Sequence, residues 1–244
     1  MILKQLQPNL IKRPVNRVGR PRGRLKPLDE PEEMAKVSRS LNYSTDESAA
    51  VFRIAWYSVA SRPNVILEEY TEAESQVFNG AAKFSLRIAN EKALVNISVD
   101  GSKSSIDVEA EGKDDVAVGV FLDELIDSLN NALSKYESLP NGDKAKLKRA
   151  LVAKTCWDRV VYEILKKAPL SDVYVQVAHG REMMIKATEG EEGMHPLTLT
   201  TSGWLSRIES LPRDQALPGN IASELAKKSI EWKKETHAVI SRYI

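Results

Sequence analysis

The sequence predicts an α+β protein in which antiparallel strands are covered by long amphipathic helices, with an extended basic arm at the N-terminus. Apolar and polar residues alternate over 84–110, as in strands with one solvated face. Apolar residues recur at helical spacing over 115–136 and 143–167. Prolines interrupt residues 1–28 every six or seven positions. With 42% apolar and 28% charged residues, the 244-residue chain has an ordinary globular composition.

Residues 1–28 are predicted to form the arm, because proline fixes φ and removes a backbone donor. The prolines of the arm are Pro8, Pro14, Pro21 and Pro27. Residues 1–26 contain eight lysines and arginines and no acid. The rest of the chain carries the other 27 bases against all 34 acids, which is a net charge of −7. A basic arm on an acidic body indicates that the arm, and not the body, meets a polyanion.

The densest part of the arm is residues 17–27, in which five of eleven residues are cationic. Its glycines let the backbone approach a surface closely, and Pro21 biases Arg20 away from helix. Such a thin cationic ribbon fits the narrow, A·T-rich minor groove of DNA, whose negative potential attracts arginine. The candidate nucleic-acid contacts are Lys12, Arg13, Arg17, Gly19, Arg20, Pro21, Arg22, Gly23, Arg24 and Lys26.

This segment resembles an AT-hook, whose core is Arg-Gly-Arg-Pro flanked by basic residues. It matches in two overlapping registers. Residues 19–22 follow Val18 where the first arginine belongs, and residues 22–24 precede Leu25 where the proline belongs. The resemblance covers residues 17–27 and implies DNA binding through the arm. It carries no implication for the folded body, in which no family is recognised.

The sequence therefore predicts a non-enzymatic nucleic-acid-binding protein, with DNA favoured over RNA as the partner. RNA and nonspecific backbone contact stay open, because Arg-rich arms serve those purposes as well. The alternative is a structural or assembly subunit of a virion or large complex, whose arm lies on a neighbouring subunit. A solvated tail, a sorting signal and a peptide that docks on an acidic partner are further interpretations of such a charge run. The body would contact itself or a larger assembly.

Two capping patterns predict helices in the first half of the body. Residues 44–47 have the capping-box pattern Ser-x-x-Glu, with Ser44 as the N-cap, and predict a helix over 44–61. A similar signature predicts a helical segment over 71–80. The short apolar run 65–67 fits either a strand or the start of that helix.

A three-stranded antiparallel meander with one polar face is predicted next. Its strands are 84–88, 95–99 and 106–110. Acids at 114–115 then open a helix over 115–136, because the N-terminal end of a helix dipole favours negative charge. The apolar stripe of this helix is predicted to bury Leu122, Ile126 and Leu129 against the strands.

Residues 139–142, Leu-Pro-Asn-Gly, are the best internal boundary in the body. They divide an α+β half at 29–138 from a helix-hairpin-helix half at 143–244, or join the two in one continuous domain. The elements predicted in the second half are a helix over 143–167 capped by Asp143, strands at 173–177 and 183–187 joined at His179-Gly180, an edge strand at 197–200, and a last helix capped by Asn220.

Residues that could carry catalysis or bind a metal are scattered. The histidines are His179, His195 and His237, and none has a second ligand at metal-binding spacing. Cys156 is the single cysteine and is predicted to be a small buried hydrophobe. The carboxylate pairs at 114–115 and 191–192 are predicted to be solvated, and no phosphate-binding loop is present. These features predict no enzyme, no cofactor and no bound metal.

The sequence also bears on where the protein works. It contains no run of 18 apolar residues, and its N-terminus lacks the apolar core of a secretory signal. A lone cysteine fits a reducing compartment. We therefore expect an intracellular protein, in the cytoplasm or in the nucleoid or nucleus, that is not secreted and does not contact a membrane.

Overall fold

The structure is a computed structural model that describes residues 34–74, 77–191 and 195–244. The predicted arm at 1–28 lies outside the described residues, and with it lie all ten candidate nucleic-acid contacts from Lys12 to Lys26. Residues Glu33–Ile244 cluster as one compact unit.

A five-stranded antiparallel sheet and six helices make up the described residues, which confirms the predicted α+β class. The strands are β1 (Ala35–Asn42), β2 (Ile66–Glu74), β3 (Phe78–Ile88), β4 (Glu91–Asp100) and β5 (Ser105–Gly112). The helices are α1 (Ser48–Ala60), α2 (Asp115–Ser138), α3 (Asn141–Leu165), α4 (Leu170–Ala187), α5 (Pro196–Glu209) and α6 (Gly219–Ile240). The strand order in the sheet is β1-β5-β4-β3-β2.

The predicted meander is confirmed as β3, β4 and β5, which form the middle of the sheet. Val95 of β4 pairs with Phe84 on one side and Ala110 on the other, and all three side chains are fully buried. Neighbouring positions face the opposite way and stay partly exposed, so that Asn96 Nδ2 donates to Glu109 Oε1 at 3.3 Å. The alternation therefore reports one buried and one polar face.

The helical segment predicted over 71–80 is wrong, because 71–74 belong to β2 and 78–80 form the start of β3. The two strands pair over this stretch, with Glu72 opposite Gly80. As an edge strand, β2 alternates half-buried Tyr70 and Glu72 with exposed neighbours such as Thr71. Glutamate and alanine favour helix in isolation, and pairing with β3 overrides that preference.

Two helices cover the buried face of the sheet, α1 over β3 and β4, and α2 over β1 and β5. Helix α2 begins as predicted after Asp114, whose Oδ1 accepts a hydrogen bond of 3.0 Å from the Ala117 N–H. Leu122 and Leu129 are at most 1% exposed, as predicted. Ile126 packs against the same core but is only half-buried, because it lies at the margin of the apolar stripe.

The helix predicted over 44–61 is present as α1, but the capping box is wrong. Helix α1 begins after Glu47 and has no side-chain capping hydrogen bond. Ser44 Oγ instead donates to Glu137 at 2.7 Å. The Glu47 carboxylate accepts from Lys148 Nζ at 2.8 Å and from the Tyr136 hydroxyl. The polar residues of the box are thus engaged by α2 and α3, which lie far along the chain.

Prolines, and not the predicted polar residues, stand at the N-caps of α3 and α6. Pro140 precedes α3 and Pro218 precedes α6. Asp143 and Asn220 lie inside the first turns of these helices, so both predicted caps are wrong. The carbonyls of these prolines accept the first hydrogen bonds of the two helices, from the Lys144 N–H at 2.9 Å and the Ala222 N–H at 2.8 Å. The proline ring fixes φ where the chain enters each helix.

The hairpin predicted over 173–187 is wrong, because α4 runs through it as one helix. Its buried positions recur at intervals of three and four residues: Val173, Val177, Gly180, Met184 and Ala187. Val175 completes the alternation that favours a strand, yet it is 58% exposed. A Cβ at Gly180 would lie 2.5 Å from the Trp157 ring, so this glycine sets the close approach of α4 to α3.

The edge strand predicted over 197–200 is wrong as well, since these residues form the first turn of α5. Leu197 and Thr201 are buried while Leu199 is 61% exposed, which is helical spacing. Threonines and leucines favoured the strand prediction. The helix forms because it buries Leu197 and Thr201 on one side, and this burial outweighs the local preference for a strand.

Helix α3 connects the sheet side of the protein with the other helices. It packs against α1, α4, α6 and β2. Between 150 and 158 nearly every side chain is buried, and two of the buried ones, Lys154 and Asp158, are charged.

Candidate functional site

The histidines and the cysteine do not come together in the structure. His179 is exposed on α4, and His195 Nδ1 accepts from the Leu197 N–H at 3.3 Å at the start of α5. His237 on α6 is exposed and bonds to the Tyr57 hydroxyl at 2.6 Å. No two of these groups form a catalytic pair among the described residues.

Cys156 is 2% exposed, which confirms the prediction of a small buried hydrophobe. Burial raises the pKa of its thiol to about 12. The thiolate is the reactive form of cysteine, so this residue is not a nucleophile at neutral pH.

The predicted carboxylate pairs serve local structure. Asp114 caps α2, and Glu191 forms an ion pair with Arg242 at 2.5 Å, while Glu192 lies outside the described residues. No group of three or more His, Cys, Asp or Glu side chains in the described ranges could hold a metal ion.

A first charged cluster joins α1, β2 and α3. Arg53 and Arg159 both bind the carboxylate of Glu72, and the Arg159 guanidinium lies 4.3 Å from the centre of the Tyr70 ring. Burial raises the pKa of Tyr70 to about 12, and its hydroxyl donates to Glu163 at 3.1 Å. Each of these carboxylates already has a partner, so we interpret the cluster as a clamp between β2 and α3.

A second charged cluster joins α1, α3 and α6 around Asp158. Its Oδ2 accepts from Trp56 Nε1 at 2.9 Å and from Lys154 Nζ at 3.2 Å. Its Oδ1 lies 2.5 Å from Lys233 Nζ. Lys154 also donates to the carbonyl oxygen of Ala60, the last residue of α1, at 3.4 Å. One carboxylate thus holds groups from three helices.

Burial and neighbouring charges shift the pKa values of Lys154 and Asp158. Burial lowers the pKa of Lys154, the neighbouring Lys233 lowers it further, and Asp158 only partly offsets these effects. Burial alone would raise the pKa of Asp158, but the charges of Lys154 and Lys233 outweigh it and hold that pKa below its usual range. The carboxylate is therefore ionised at neutral pH.

A cavity of about 510 Å³ opens beside this cluster. One wall is Ala60 at the end of α1 with the α1–β2 loop, residues 61–65, and Lys154 also lines the cavity. The other wall is one flank of α6, where four residues are spaced i, i+3, i+4 and i+7 and therefore share a side of the helix. These residues are Ile230, Lys233, Lys234 and His237.

The cavity is strongly cationic. Arg62, Lys154, Lys233 and Lys234 line it, and no aspartate or glutamate stands among its lining residues. Asp158 lies behind the lysines and the C-terminal end of α1 adds partial negative charge from its last carbonyls. The arrangement can bind and orient an anion.

Sequence reasoning missed this cavity, because its walls are separated by about 90 and 80 residues along the chain. A local signal did exist. Lys154 and Asp158 stand at i and i+4 in a stretch where Ala153, Cys156 and Trp157 face other directions and are all buried. A helix that is apolar on every side is buried on every side, so charges within it are desolvated.

Comparison with known proteins finds no family model, no characterised protein and no solved structure that matches this chain. Among the described residues, no helix combines the length and the apolar character needed to span a membrane.

Proposed function

We propose that this protein is a non-enzymatic nucleic-acid-binding protein that binds DNA through its N-terminal arm inside the cell, in the cytoplasm or in the nucleoid or nucleus. The separation of charge along the chain carries the proposal. Residues 1–26 hold eight bases and no acid, while the rest of the chain has a net charge of −7. A polyanion attracts such an arm and is repelled by such a body, so contact is confined to the arm.

Within the arm, two sets of cations have different tasks. Arginines next to glycine and proline enter the A·T-rich minor groove, where the potential is most negative: Arg20, Arg22 and Arg24. The remaining candidate cations neutralise phosphates: Lys12, Arg13, Arg17 and Lys26. Gly19 and Gly23 leave the backbone thin enough to follow the groove, and Pro21 keeps it extended.

The exposed face of the sheet suits a body that does not bind nucleic acid itself. Three acids project from β5, at Asp107, Glu109 and Glu111, and Lys36 of β1 bridges two of them, with 2.7 Å to Glu109. An acidic sheet face does not attract phosphate.

The proposal is tested by a salt titration of DNA binding with the full chain and with a variant in which Arg20, Arg22 and Arg24 are replaced by Gln. If about five of the eight arm cations contact phosphates, log affinity of the full chain falls with log salt at a slope of about −4 to −5. The variant should lose most of its affinity for A·T-rich duplex. Equal binding by both proteins would rule out these three arginines as DNA contacts, and equal binding by a chain that lacks residues 1–27 would rule out the arm.

Single substitutions separate groove contacts from phosphate contacts. Arg20→Ala and Arg22→Ala should weaken binding to A·T-rich duplex more than to G·C-rich duplex, because only the former has a narrow groove. Lys12→Ala should weaken both alike and make the salt slope shallower by about one unit. Equal losses on both duplexes for every variant would keep DNA binding and remove the minor-groove contact.

The same separation of charge favours a second function, that of a structural or assembly subunit whose arm lies on the acidic body of a neighbouring subunit. Limited proteolysis at low salt, with nucleic acid removed, distinguishes the two. Protection of residues 1–28 that rises with protein concentration supports the assembly function. Protection that requires added DNA supports DNA binding.

A further inference from the structure

We propose that the cavity between the α1–β2 loop, α3 and α6 binds the phosphate group of a small phosphorylated molecule. The cavity is lined by residues 60–65, Lys154 and the 230–237 flank of α6. This site lies in the folded body and uses none of the arm residues, so it is independent of the proposed DNA binding.

The first argument is uncompensated buried charge. The side chains of Lys154, Asp158 and Lys233 are 3%, 4% and 18% exposed, and the two lysines share one carboxylate. With both lysines protonated, two ammonium groups share one carboxylate beside the cavity, and one positive charge has no matching anion. Burial lowers the pKa of Lys154, and an anion in the cavity would favour its protonated form. A desolvated, unpaired charge is costly, and an anion in the adjoining cavity offsets that cost.

The second argument is unused hydrogen-bonding capacity on a cavity-lining group. The ammonium group of Lys154 has three N–H donors. Among the described residues it has two acceptors, Asp158 Oδ2 at 3.2 Å and the Ala60 carbonyl at 3.4 Å. Both distances exceed the length of about 2.7–2.9 Å usual for charge-assisted bonds. A ligand oxygen in the cavity would supply the missing acceptor.

The third argument concerns the rim of the cavity. Lys234 is exposed and forms no ion pair within the described ranges, while Arg62 lies over the Phe121 ring at 4.5 Å. These cations add to the positive charge of Lys154 and Lys233. The total suits a phosphate monoester, which carries about −1.5 to −2 at neutral pH and has three acceptor oxygens. A carboxylate supplies one negative charge and two oxygens.

The size and lining of the cavity indicate more than an inorganic ion. Its volume of about 510 Å³ falls in the range of about 300–1,000 Å³ typical of small-molecule sites. Pro63, Val65 and Ile230 supply apolar surface beside the lysines. The ligand is therefore expected to carry an apolar or aromatic part next to its phosphate.

The experiment is calorimetric titration of the full chain with phenyl phosphate, and with inorganic phosphate and benzoate as comparison probes. Phenyl phosphate should bind at one saturable site, and more tightly than either comparison probe. Lys233→Gln should weaken it about tenfold, because it removes a partly buried charged donor. Lys234→Gln, at the exposed rim, should weaken it about threefold and does not disturb the core.

Lys227→Gln is the matched control. It removes the same charge from the same side of α6 about 10 Å further along the helix axis, outside the cavity. Its affinity for phenyl phosphate should equal that of the unmodified chain. Equal affinities in all three lysine variants would place phosphate on general surface charge, including the arm, and overturn the proposal. Benzoate binding as tight as that of phenyl phosphate would overturn it too.

Loss of this site and loss of DNA binding are distinguishable. The Lys233→Gln and Lys234→Gln variants should bind duplex DNA like the unmodified chain, because their arms are intact. A loss of duplex affinity in these two variants but not in Lys227→Gln would assign the cavity to the nucleic-acid backbone and overturn the small-molecule proposal.

Discussion

Two helix interfaces in this molecule differ in the kind of contact that they contain: one is apolar, and the other includes buried charged groups. Helix α2 lies on the sheet through apolar side chains, and Leu122, Leu125 and Leu129 are at most 1% exposed. Helix α3 packs on α6 through the rings of Trp157 and Trp232, which are also at most 1% exposed. It adds a polar contact, in which the two oxygens of Asp158 bind Trp56 of α1 and Lys233 of α6. The hydrogen bonds and ion pairs around Asp158 depend on direction, whereas the apolar contacts of α2 do not.

The difference bears on specificity. Apolar contact scales with buried area and tolerates small rotations of a helix. A buried carboxylate that binds three donors does not tolerate such rotations, because each hydrogen bond requires a given distance and angle. The Asp158 cluster therefore sets the rotation of α1, α3 and α6 relative to one another, and in doing so it shapes the cavity beside it. We expect substitutions at the Asp158 interface to lower the free energy of unfolding more than substitutions at the α2 interface.

The largest effect is expected at the charged interface. Asp158→Ala should lower the free energy of unfolding by about 3–5 kcal/mol, because it leaves buried Lys154 without its charge partner. Urea denaturation measures this. Lys154→Met should cost less, since Asp158 keeps Lys233 and Trp56. Glu182→Ala, which breaks an exposed pair with Lys186 at the same i, i+4 spacing, should leave the midpoint unchanged.

The same carboxylate predicts a pH dependence. The pKa of Asp158 in the folded protein lies below its usual value, so its contribution to stability is present above the unfolded pKa of about 3.9. That contribution is lost as the pH falls through the lower, folded pKa. Asp158→Asn should therefore flatten the acid limb of the stability profile. An unchanged acid limb would show that the carboxylate is not ionised in the folded protein.

The next effect tests the apolar interface. Leu122→Ala should lower the free energy of unfolding by about 2–5 kcal/mol, because it empties a fully buried site on the sheet. Ile126→Ala on the same helix should cost clearly less, since Ile126 is half-buried. Denaturant titration of the two variants side by side gives the comparison. Equal costs would mean that the face of α2 has been assigned wrongly.

A smaller effect is expected where α4 approaches α3. Gly180→Ala would put a methyl group 2.5 Å from the Trp157 ring and should cost about 1–3 kcal/mol through overpacking. Gly203→Ala on α5 is the control, because a methyl group there meets nothing within 4 Å. That change should stabilise the protein by up to about 1 kcal/mol through helix propensity. Stabilisation by both substitutions would contradict the close approach.

The smallest expected effect concerns alkylation of the Cys156 thiol, which should not occur in the native protein. Iodoacetamide should leave Cys156 unmodified in the native protein at pH 8, because the thiol is buried and its pKa is about 12. Mass spectrometry measures the labelling, and the denatured protein is the positive control. If Cys156 in the native protein were labelled as fast as an exposed thiol, the packing around α3 would open readily to solvent.

The local pattern of apolar residues correctly predicted those strands and helices that bury only one side. The meander and α2 were found because their periods of two and 3.6 reflect the side that each buries. The hairpin over 173–187 was wrong for a related reason. Val173 and Val177 belong to a helical face, and Val175 between them imitates a strand although it is exposed. Over five residues, a strand with a period of two and a helix with a period of 3.6 place both Val173 and Val177 on one face.

The partners in the candidate site could not be inferred from local pattern. The apolar surroundings of Lys154 and Asp158 indicate a buried pair, but only the tertiary structure brings Trp56 and Lys233 to the carboxylate. In the capping box, Glu47 is likewise taken by Lys148 and Tyr136 rather than by its own helix. Polar side chains bind whatever the fold brings to them, and sequence spacing does not record which partner that is.

The sequence alone predicted an α+β body with a one-sided meander and a long helix to cover it, and it shows a basic N-terminal segment opposite in charge to the rest of the chain. These follow from composition and from periodicity, which act over a few residues. Tertiary structure assigned 66–74 to an edge strand, made 170–187 a single helix and buried a lysine–aspartate pair beside a cationic cavity. The reason is physical: strand pairing, desolvation and charge compensation depend on neighbours that are distant in sequence and adjacent in space.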